Sequence, residues 1–282
     1  MPSSGLRDHG VCLFGPRVRF PDDPTDRSYA TLLTMTIPRM LVLASLSRRR
    51  LAVVLRRLST ERRCGRPWSR SLRHRILIAC VALRTNLTIR ELAAVFEISK
   101  SAAHRILAAI TPRLAALAAE LSCRDRRWSW IVDGTLIPTR DHSHAAKSKN
   151  YRYSCNAQIL IRGRDLKVVE ITAGGPGNRN DPTHYRGSTV ERLCRTHGRV
   201  LADGGYRGVP ELVTPTFRGR RIVRDAAWRR HRRRRARVEH AIARLKVWRV
   251  LRDHRRNGHH LADSLRAVAL LHNLQVAFRD KP

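Results

Sequence analysis

The sequence predicts a helical N-terminal region followed by an α/β domain. Apolar residues recur at helical spacing over residues 69–121, and short β-rich runs alternate with helical segments after Arg124. Three strand-like runs, a helix, a fourth strand and a helix, in that order, are typical of an α/β domain. We therefore divide the chain into a leader (1–44), a helical domain (45–122) and an α/β domain (123–282).

The β-rich runs predict a hairpin or meander in the second half of the chain. The first run is Trp128–Ile137, and two more, Asn156–Ile161 and Leu166–Ile171, are joined by a turn at Gly163. Further along we predict a helix from Ser188, a strand Arg199–Ala202, a strand Arg221–Val223, a basic helix from about 230 to 251 and an apolar helix over 261–278.

The leader shows no hydrophobic period, and Gly, Pro and Asp are scattered through it. We expect it to be disordered or to precede the true start. Met40–Leu58 has apolar residues at helical spacing, which predicts one helix that packs on the protein or faces DNA. The apolar stretch Thr31–Ser47 is interrupted by Pro38 and Arg39 and is too short to cross a bilayer, so no membrane association is expected.

The chain is strongly basic. Lys and Arg together number 57 against 22 Asp and Glu, which gives a formal net charge of +35. Such a surplus repels itself unless a polyanion neutralises it, and phosphate contacts supply most of the non-specific affinity for nucleic acid. Codon bias in a GC-rich genome would raise the arginine count, but it does not explain the shortage of acids. Nucleic acid is therefore the expected partner.

The cysteines argue against a zinc ribbon or a disulfide framework, because none forms a Cys-x-x-Cys pair and the spacings are wide. We expect reduced, mostly buried thiols in a cytoplasmic protein. No phosphate-binding P-loop is present, so ATP is not expected as a cofactor. The six cysteines are Cys12, Cys64, Cys80, Cys123, Cys155 and Cys194.

The helical region has the pattern of a helix-turn-helix. One predicted helix begins at Thr88, and Glu91 three residues later completes a capping box. Ser99 caps the next helix after a connection of only a few residues around Ile98. A generic helical bundle is the alternative. In a helix-turn-helix, the side chains that face away from the core and reach a major groove are Lys100, Ser101, His104 and Arg105.

Two carboxylates end apolar strands. Asp133 follows Trp130–Val132, and Asp203 follows Val200–Ala202. A carboxylate inside an apolar strand is costly unless it is paired or binds a metal. Glycine follows each of the two, which allows a substrate to approach the backbone closely. Taken singly, either acid can equally be a turn cap at the end of its strand.

Glu239 is the only acid between Asp225 and Asp253, in a stretch crowded with arginine. On a helix, Arg235 and Lys246 share its face. Taken singly, Glu239 is explained more simply by an ion pair with Arg235. With the two aspartates, it completes the three carboxylates of a two-metal phosphodiester site, because hard divalent cations prefer carboxylate oxygens.

Three motifs resemble the insertion-sequence transposases of the IS-five group, which are DDE enzymes. They are Asp133-Gly134-Thr135, the stretch from Leu201 to Gly208, and the set Arg235, Glu239 and Lys246. Asp133 and Asp203 are 70 residues apart, and Asp203 and Glu239 are 36 apart, as is usual in this family. The resemblance covers roughly residues 45 to 280, and the three acids with their flanking motifs are its most specific part.

The chain departs from the family pattern at three places. Arg232 occupies the tyrosine position of the Tyr-(2)-Arg-(3)-Glu-(6)-Lys signature, and Asn180 stands where histidine is common in a His-Asp pair. Lys147–Gln158 resembles a family stretch that commonly reads Ser-Gly-Lys-His-Lys before an Asn-x-Gln strand. Asn156 and Gln158 match that stretch, but the residues that flank them do not.

The resemblance implies an α/β fold of the ribonuclease-H-like kind, a mixed sheet with flanking helices, preceded by an all-α helix-turn-helix domain. It implies that Asp133, Asp203 and Glu239 are catalytic and hold two divalent metal ions, Mg²⁺ or Mn²⁺. A metal-bound water would cleave DNA, and the freed 3′-hydroxyl would attack target DNA without a covalent protein–DNA intermediate. The partners would be the element's terminal repeats and target DNA, bound by a homodimer or higher multimer associated with the bacterial nucleoid.

Some basic residues are candidates for holding DNA phosphates, although each can equally be a solvated surface charge. Asp141, His142 and His144 resemble metal ligands, but we favour a polar loop there. Two other functions stay open: a DNA-binding regulator or decayed transposase without catalysis, and a nuclease that cuts without joining. The phosphate-binding candidates near the acids are Lys147, Lys149, Arg207, Arg235 and Lys246.

Overall fold

The structure, a computed structural model, describes residues 35–59, 67–120, 125–148 and 152–278. Three subjects of the sequence predictions lie outside these ranges: the leader up to residue 34, Lys149, and the cysteines at 12, 64 and 123. The other three cysteines are buried free thiols, as expected from their spacing: Cys80, Cys155 and Cys194.

Within the described ranges, five α-helices precede the sheet. They are α1 (Ile37–Leu43), α2 (Arg48–Leu58), α3 (Leu72–Thr85), α4 (Ile89–Val95) and α5 (Lys100–Glu120). α3 is buried on all sides from Ile76 to Leu83, because α1, α2 and α5 pack around it. α3 is therefore the central helix of this region.

The prediction of a single helix over Met40–Leu58 is wrong, since the structure divides this segment into α1 and α2. Ser45 adopts a left-handed backbone with φ of 51°, through which an α-helix does not continue. Ser47 then starts α2, because its hydroxyl accepts a hydrogen bond from the backbone N–H of Arg50. α1 also lies inside the segment assigned to the leader, so ordered structure begins before residue 45.

The connection between α4 and α5 agrees with the sequence pattern. The predicted capping box is confirmed: the Thr88 hydroxyl accepts from the Glu91 N–H, and the Glu91 carboxylate accepts from the Thr88 N–H. Residues 96–99 connect the helices, with Glu97 at a positive φ of 50°. The side chains predicted to reach DNA are all exposed on the first turns of α5: Lys100, Ser101, His104 and Arg105.

A mixed sheet of six strands follows in the described part of the chain, which confirms the predicted fold class. β3 has β1 on one edge and both β2 and β4 on the other, all antiparallel to it. β5 pairs with β1 in parallel, and β6 pairs with β5 in parallel. The strands are β1 (Trp130–Pro138), β2 (Ala146–Lys147), β3 (Tyr153–Arg162), β4 (Val168–Pro176), β5 (Val200–Leu201) and β6 (Leu212–Val213).

The predicted strand Arg221–Val223 does not join this sheet. Its first two residues form β8 (Arg221–Ile222), which pairs with β7 (Phe217–Arg218) in a separate hairpin. Most of this hairpin is exposed, so it has little apolar surface to bury against the sheet. Two-residue strands such as these carry no periodicity that a sequence reading can detect.

Helices cover both faces of the sheet. α6 (Asp181–Tyr185) and α7 (Thr189–Arg195) lie on one face, and α8 (Ala226–Leu245) and α9 (Leu261–Ala277) lie on the other. Side chains alternate along β1, so that one set enters the α8–α9 core and the other enters the α6–α7 core. No helix of the described ranges is long and apolar enough to cross a membrane.

α8 begins and ends earlier than the sequence predicts. Asp225 caps its start, because the carboxylate accepts a hydrogen bond from the Trp228 N–H. After Leu245 the chain leaves the helix and enters a 3₁₀ turn at Arg249–Leu251, with Trp248 fully buried between them. The apolar residues beyond Leu245 therefore belong to this turn and not to the helix.

The helical region and the sheet share one hydrophobic core. α9 packs along α5 on one side and on β4 on the other. Asn273 holds α9 to the sheet, because its side-chain amide bonds both the N–H and the carbonyl of Val168 at 2.8 Å. The predicted boundary at residue 122 lies outside the described residues, and the helices before it and the sheet after it contribute to this one core.

We expect Thr88→Ala to lower the free energy of unfolding by about 1 kcal/mol, because the first turn of α4 loses its side-chain acceptor. Urea unfolding followed by circular dichroism measures the change. Thr88→Ser keeps the hydroxyl and serves as the matched control, with stability close to that of the wild type. Equal stability of all three proteins would contradict a stabilising role for the capping box.

Candidate active site

Asp133 lies on β1, and Asp203 lies two residues after the end of β5, the strand next to β1 in the sheet. β1 and β5 pair in parallel with Ile131 opposite Leu201, and the same register continued by two residues places Asp133 opposite Asp203. Neighbouring strands are about 4.8 Å apart. Ile131 and Leu201 both belong to the core beneath α8, so alternation along each strand directs the two carboxylates toward that helix.

The Asp133 carboxylate is largely buried, with 14% of its side chain exposed. Burial raises its pKa to about 7; the Arg235 guanidinium opposes this rise, and the charge of Asp203 adds to it. One carboxylate oxygen accepts from the Gly134 N–H at 3.0 Å, and the other accepts from Arg235 Nη1 at 3.1 Å. A positive charge at this position is therefore strongly favoured.

Arg235 joins Glu239 to Asp133. Its guanidinium donates Nη1 to Asp133 Oδ2 and Nη2 to Glu239 Oε1. Glu239 is 56% exposed on α8, whereas Arg235 is 19% exposed between the helix and the sheet. The ion pair considered as the simpler explanation of Glu239 is thus present, but it extends across to β1 and links the third acid to the first.

A buried polar network lies under β1, on the face of the sheet away from α8. The Tyr206 hydroxyl donates to Gln158 Oε1 at 2.6 Å, and Gln158 Nε2 donates to Asn156 Oδ1 at 2.8 Å. Asn156 Nδ2 then donates to Asp181 Oδ1 at 2.6 Å. Gln158 and Tyr206 are fully buried, and buried polar groups are tolerated when they are bonded in this way. The network fixes the position of the Asp181 carboxylate.

Asp181 meets the strand at Gly134. A Cβ atom on Gly134 would lie 1.9 Å from Asp181 Oδ1, so only glycine allows this approach. Burial raises the pKa of the Tyr206 hydroxyl, and the charges of Asp181, Asp133 and Asp203 raise it further. Three aspartates therefore lie near the middle of β1, and Asp181 is on the face of the sheet away from α8.

Sequence reasoning assigned no role to two residues that support the site. Asp181 was visible only as the second member of the Asn180-Asp181 pair, in which Asn180 caps α6 by accepting from the Thr183 N–H. His231 bonds the carbonyl of Ala202 at 2.9 Å and so ties α8 to the residue before the second acid. No periodicity signals either contact, because both depend on the tertiary fold.

A family model and a relative of known description match this chain. Residues 126–274 match the family model of the transposase DDE domain. This chain belongs to the DDE transposase family. A relative described as a putative transposase for insertion sequence element IS112, from Streptomyces albus G, is 42% identical over 235 residues, which cover 80% of this chain and 90% of the relative. No solved structure matches. DNA is accordingly the partner of this transposase, and its three predicted acids lie within the matched region.

DDE transposases generally depend on divalent metal, and the residues of this transposase fit such an ion in part. Asp133 and Asp203 offer hard oxygen ligands side by side, and a cation would relieve their mutual repulsion. Among the described residues, no group of three or more His, Cys, Asp or Glu side chains lies close enough together to hold a metal ion. The Arg235 guanidinium lies between Glu239 and Asp133, so Glu239 could join a cation only after this ion pair opens.

The basic candidates near the acids of the transposase differ in their burial and in their contacts. Lys246 is half-buried and donates to the carbonyl of Leu136 on β1 at 3.2 Å, and burial lowers its pKa. Its ammonium is thus engaged with the strand that carries the first acid. Arg207 is exposed and stacks on the Phe217 ring at 4.7 Å, and Lys147 is exposed on β2. The last two offer charge to a ligand in solution.

The segment with Asp141 and His142 is a polar loop, as favoured from the sequence. One Asp141 oxygen accepts from the Ser143 N–H, and the other accepts from the Gly258 N–H at 2.7 Å. His142 stacks on the Tyr153 ring. The carboxylate is therefore occupied by backbone donors that hold two loops together.

We expect Gly134→Ala to destabilise the transposase by about 1–3 kcal/mol, because the added methyl group overlaps the Asp181 carboxylate. The measurement is urea unfolding of the single variant, of Asp181→Ala and of the double variant. Removing the carboxylate makes room for the methyl group, so the alanine at 134 is expected to cost less in the double variant. An equal cost in both backgrounds would show that the two residues do not meet.

We expect Asp133→Asn to stabilise the metal-free transposase at neutral pH. The folded pKa of Asp133 is about 7, against about 3.9 for an unperturbed aspartate, so folding of the wild type loses free energy as the pH rises from about 4 to about 7. Asparagine does not ionise and escapes this loss. In EDTA at about pH 8, the variant is expected to be more stable by on the order of 1–3 kcal/mol.

Urea unfolding at several pH values tests this expectation, and the advantage of the asparagine is expected to shrink as the pH falls toward 4. Asp225→Asn, which keeps the cap of α8, is the control for the loss of a carboxylate. A stability difference that does not change with pH would refute the raised pKa of Asp133.

Proposed function

We propose that this transposase cuts DNA at the ends of its insertion sequence and joins the freed 3′ ends to target DNA, with Asp133, Asp203 and Glu239 as catalytic carboxylates. The observation that supports it most is the parallel register of β1 and β5, which brings Asp133 and Asp203 side by side beneath α8. Glu239 binds the same Arg235 guanidinium as Asp133. In our proposal the three acids bind two divalent cations, Mg²⁺ or Mn²⁺.

The residues of the chain hold and orient this chemistry. Bound cations would activate the attacking water or hydroxyl and stabilise the leaving oxygen. Asp133 would hold a cation as an ionised carboxylate, and the carboxylates would be free for the cations once Arg235 left its ion pairs. The guanidinium would then be available to a phosphate oxygen. The network from Tyr206 to Asp181 supports β1 at Gly134 from the other face of the sheet.

DNA recognition is assigned in this proposal to the helical domain, residues 45–122, and catalysis to residues 123–282. The exposed start of α5 would read the terminal repeats, because its side chains face away from the core. Arg207 and Lys147 would hold phosphates beside the acids. A homodimer or higher multimer on paired ends follows from the need to cut two ends and join both to one target.

One observation favours a second candidate, a DNA-binding protein without catalysis. The Arg235 guanidinium is already paired with both Asp133 and Glu239, so each of these two acids has a positive partner without a metal ion. If this ion pair does not open, the chain would bind element ends but leave them intact.

The test is cleavage of labelled duplex DNA taken from both flanks of the gene, in the presence of Mg²⁺ or Mn²⁺. We expect the wild type to cut the ends and to join them to an unrelated duplex. Asp203→Asn and Glu239→Gln are each expected to lower the cleavage rate by about a hundredfold or more, because developing charge is no longer stabilised. EDTA is expected to abolish cleavage.

Asp263→Asn removes an acid of α9 outside the site and is the matched control, with cleavage close to the wild-type rate. Equal products from wild type and Asp203→Asn would rule out catalysis at this site. Binding of the flanking DNA without any cleavage by the wild type would favour the second candidate. Cleavage without joined product would indicate a nuclease.

A further inference from the structure

α8 borders a basic groove that the proposed site does not use. The groove measures about 610 Å³ and lies between α8 and the turn from β3 to β4. Asp165 is the one acid among its lining residues, all of which are described, and this carboxylate is already paired with Arg162. The basic side chains that line the groove are Arg164, Lys167, Arg233, Arg237, His240 and Arg244.

The groove and the acidic site lie on nearly opposite sides of α8. The four basic residues that the helix contributes to the groove recur every three or four positions and so form one stripe. At 100° per residue, Arg237 is rotated by about 200° from Arg235, which faces Asp133. Val238 and Leu245 are buried against the sheet between the two sides. α8 thus presents one surface to the acidic site and a different surface to the groove.

The positive charges of the groove are held in place. The Arg164 guanidinium stacks on the Trp128 ring at 4.2 Å, and the carbonyl of Arg164 accepts from Arg237 Nη2 at 2.8 Å. The bond from Arg237 to Arg164 connects the two walls of the groove. Guanidinium groups fixed in this way lose less conformational freedom when they bind a phosphate than free side chains do.

The basic surface continues beyond the groove. A neighbouring cavity of about 580 Å³ shares Arg244 with it and adds Arg84. From Arg233 to Arg244 alone the stripe runs about 16 Å at 1.5 Å per residue. This length corresponds to about five base-pair steps along a DNA helix axis, at about 3.4 Å each. The surface is therefore long enough to contact more than one phosphate of a duplex, and its charge is complementary to them.

We propose that this groove binds the phosphate backbone of a second DNA duplex, separate from the one that is cut at Asp133. The inference rests on the proposed function, which places the cleaved duplex on the opposite side of α8. The width of α8, about 10 Å, separates the groove from the acids, so the groove phosphates and the cleaved phosphate would lie on different sides of the helix. The second duplex is either the other element end or the target, since both offer the same backbone chemistry.

The test measures capture of a second duplex by protein already bound to a first. Protein is saturated with a biotinylated duplex from one flank of the gene, and recovery of a labelled second duplex is measured on streptavidin. The second duplex is the opposite flank in one arm and an unrelated sequence in the other. We expect Arg237→Gln with Arg244→Gln to lower capture at least tenfold in one arm or both. The slope of log affinity for the second duplex against log salt is expected to fall by about two, at roughly 0.9 per phosphate contact.

Arg192→Gln with Arg199→Gln removes the same charge from exposed residues outside the groove and is the matched control. Arg164→Gln with Lys167→Gln tests the opposite wall without altering α8. Capture equal to that of the control in both arms, by both groove variants, would overturn the inference. Cleavage of the first duplex is measured in parallel: if Asp203→Asn cuts like the wild type, the proposed function fails, whereas unchanged capture with normal cleavage refutes the groove alone.

Discussion

The buried carboxylate of Asp133 is the constraint on which the arrangement around the site depends. β1 is covered on both faces, so an ionised group within it needs a compensating charge and hydrogen bonds. Arg235 supplies the charge from α8, and the Gly134 N–H supplies one of the bonds. α8 therefore crosses β1 at Asp133, and this crossing brings Glu239 to the guanidinium that also binds Asp133.

α8 resolves a conflict between a basic DNA-binding surface and a cluster of acids. Its buried stripe fixes it on the sheet, and its arginines diverge to either side of that stripe. Arg235 faces the sheet and pairs with Asp133 and Glu239. Arg237 and Arg244 lie on the other side of the helix and line the groove. One helix thus stabilises an acidic pocket without lowering the positive charge that the chain presents to phosphates.

The sequence was informative where a pattern is local. The capping box at Thr88 and the strands around the Gly163 turn have clear signatures, and the apolar runs that precede Asp133 and Asp203, with the glycine after each, marked the two acids as a pair. The break at Ser45 was not predicted, because nothing local marks its left-handed backbone. The bridge through Arg235 and the contact of Asp181 with Gly134 depend on elements far apart in the chain, so the sequence pattern does not reveal them.

The most specific departure from the family motif, Arg232 in place of tyrosine, has a physical counterpart in the fold. The Arg232 guanidinium lies 5.4 Å from the centre of the Trp228 ring, one helical turn earlier on α8. Trp228 therefore keeps an aromatic surface on the same side of the helix as Arg235 and Glu239. The substitution adds a positive charge beside that surface and leaves the ion pairs of Arg235 intact, so the departure alters the rim of the site while the acids keep their positions.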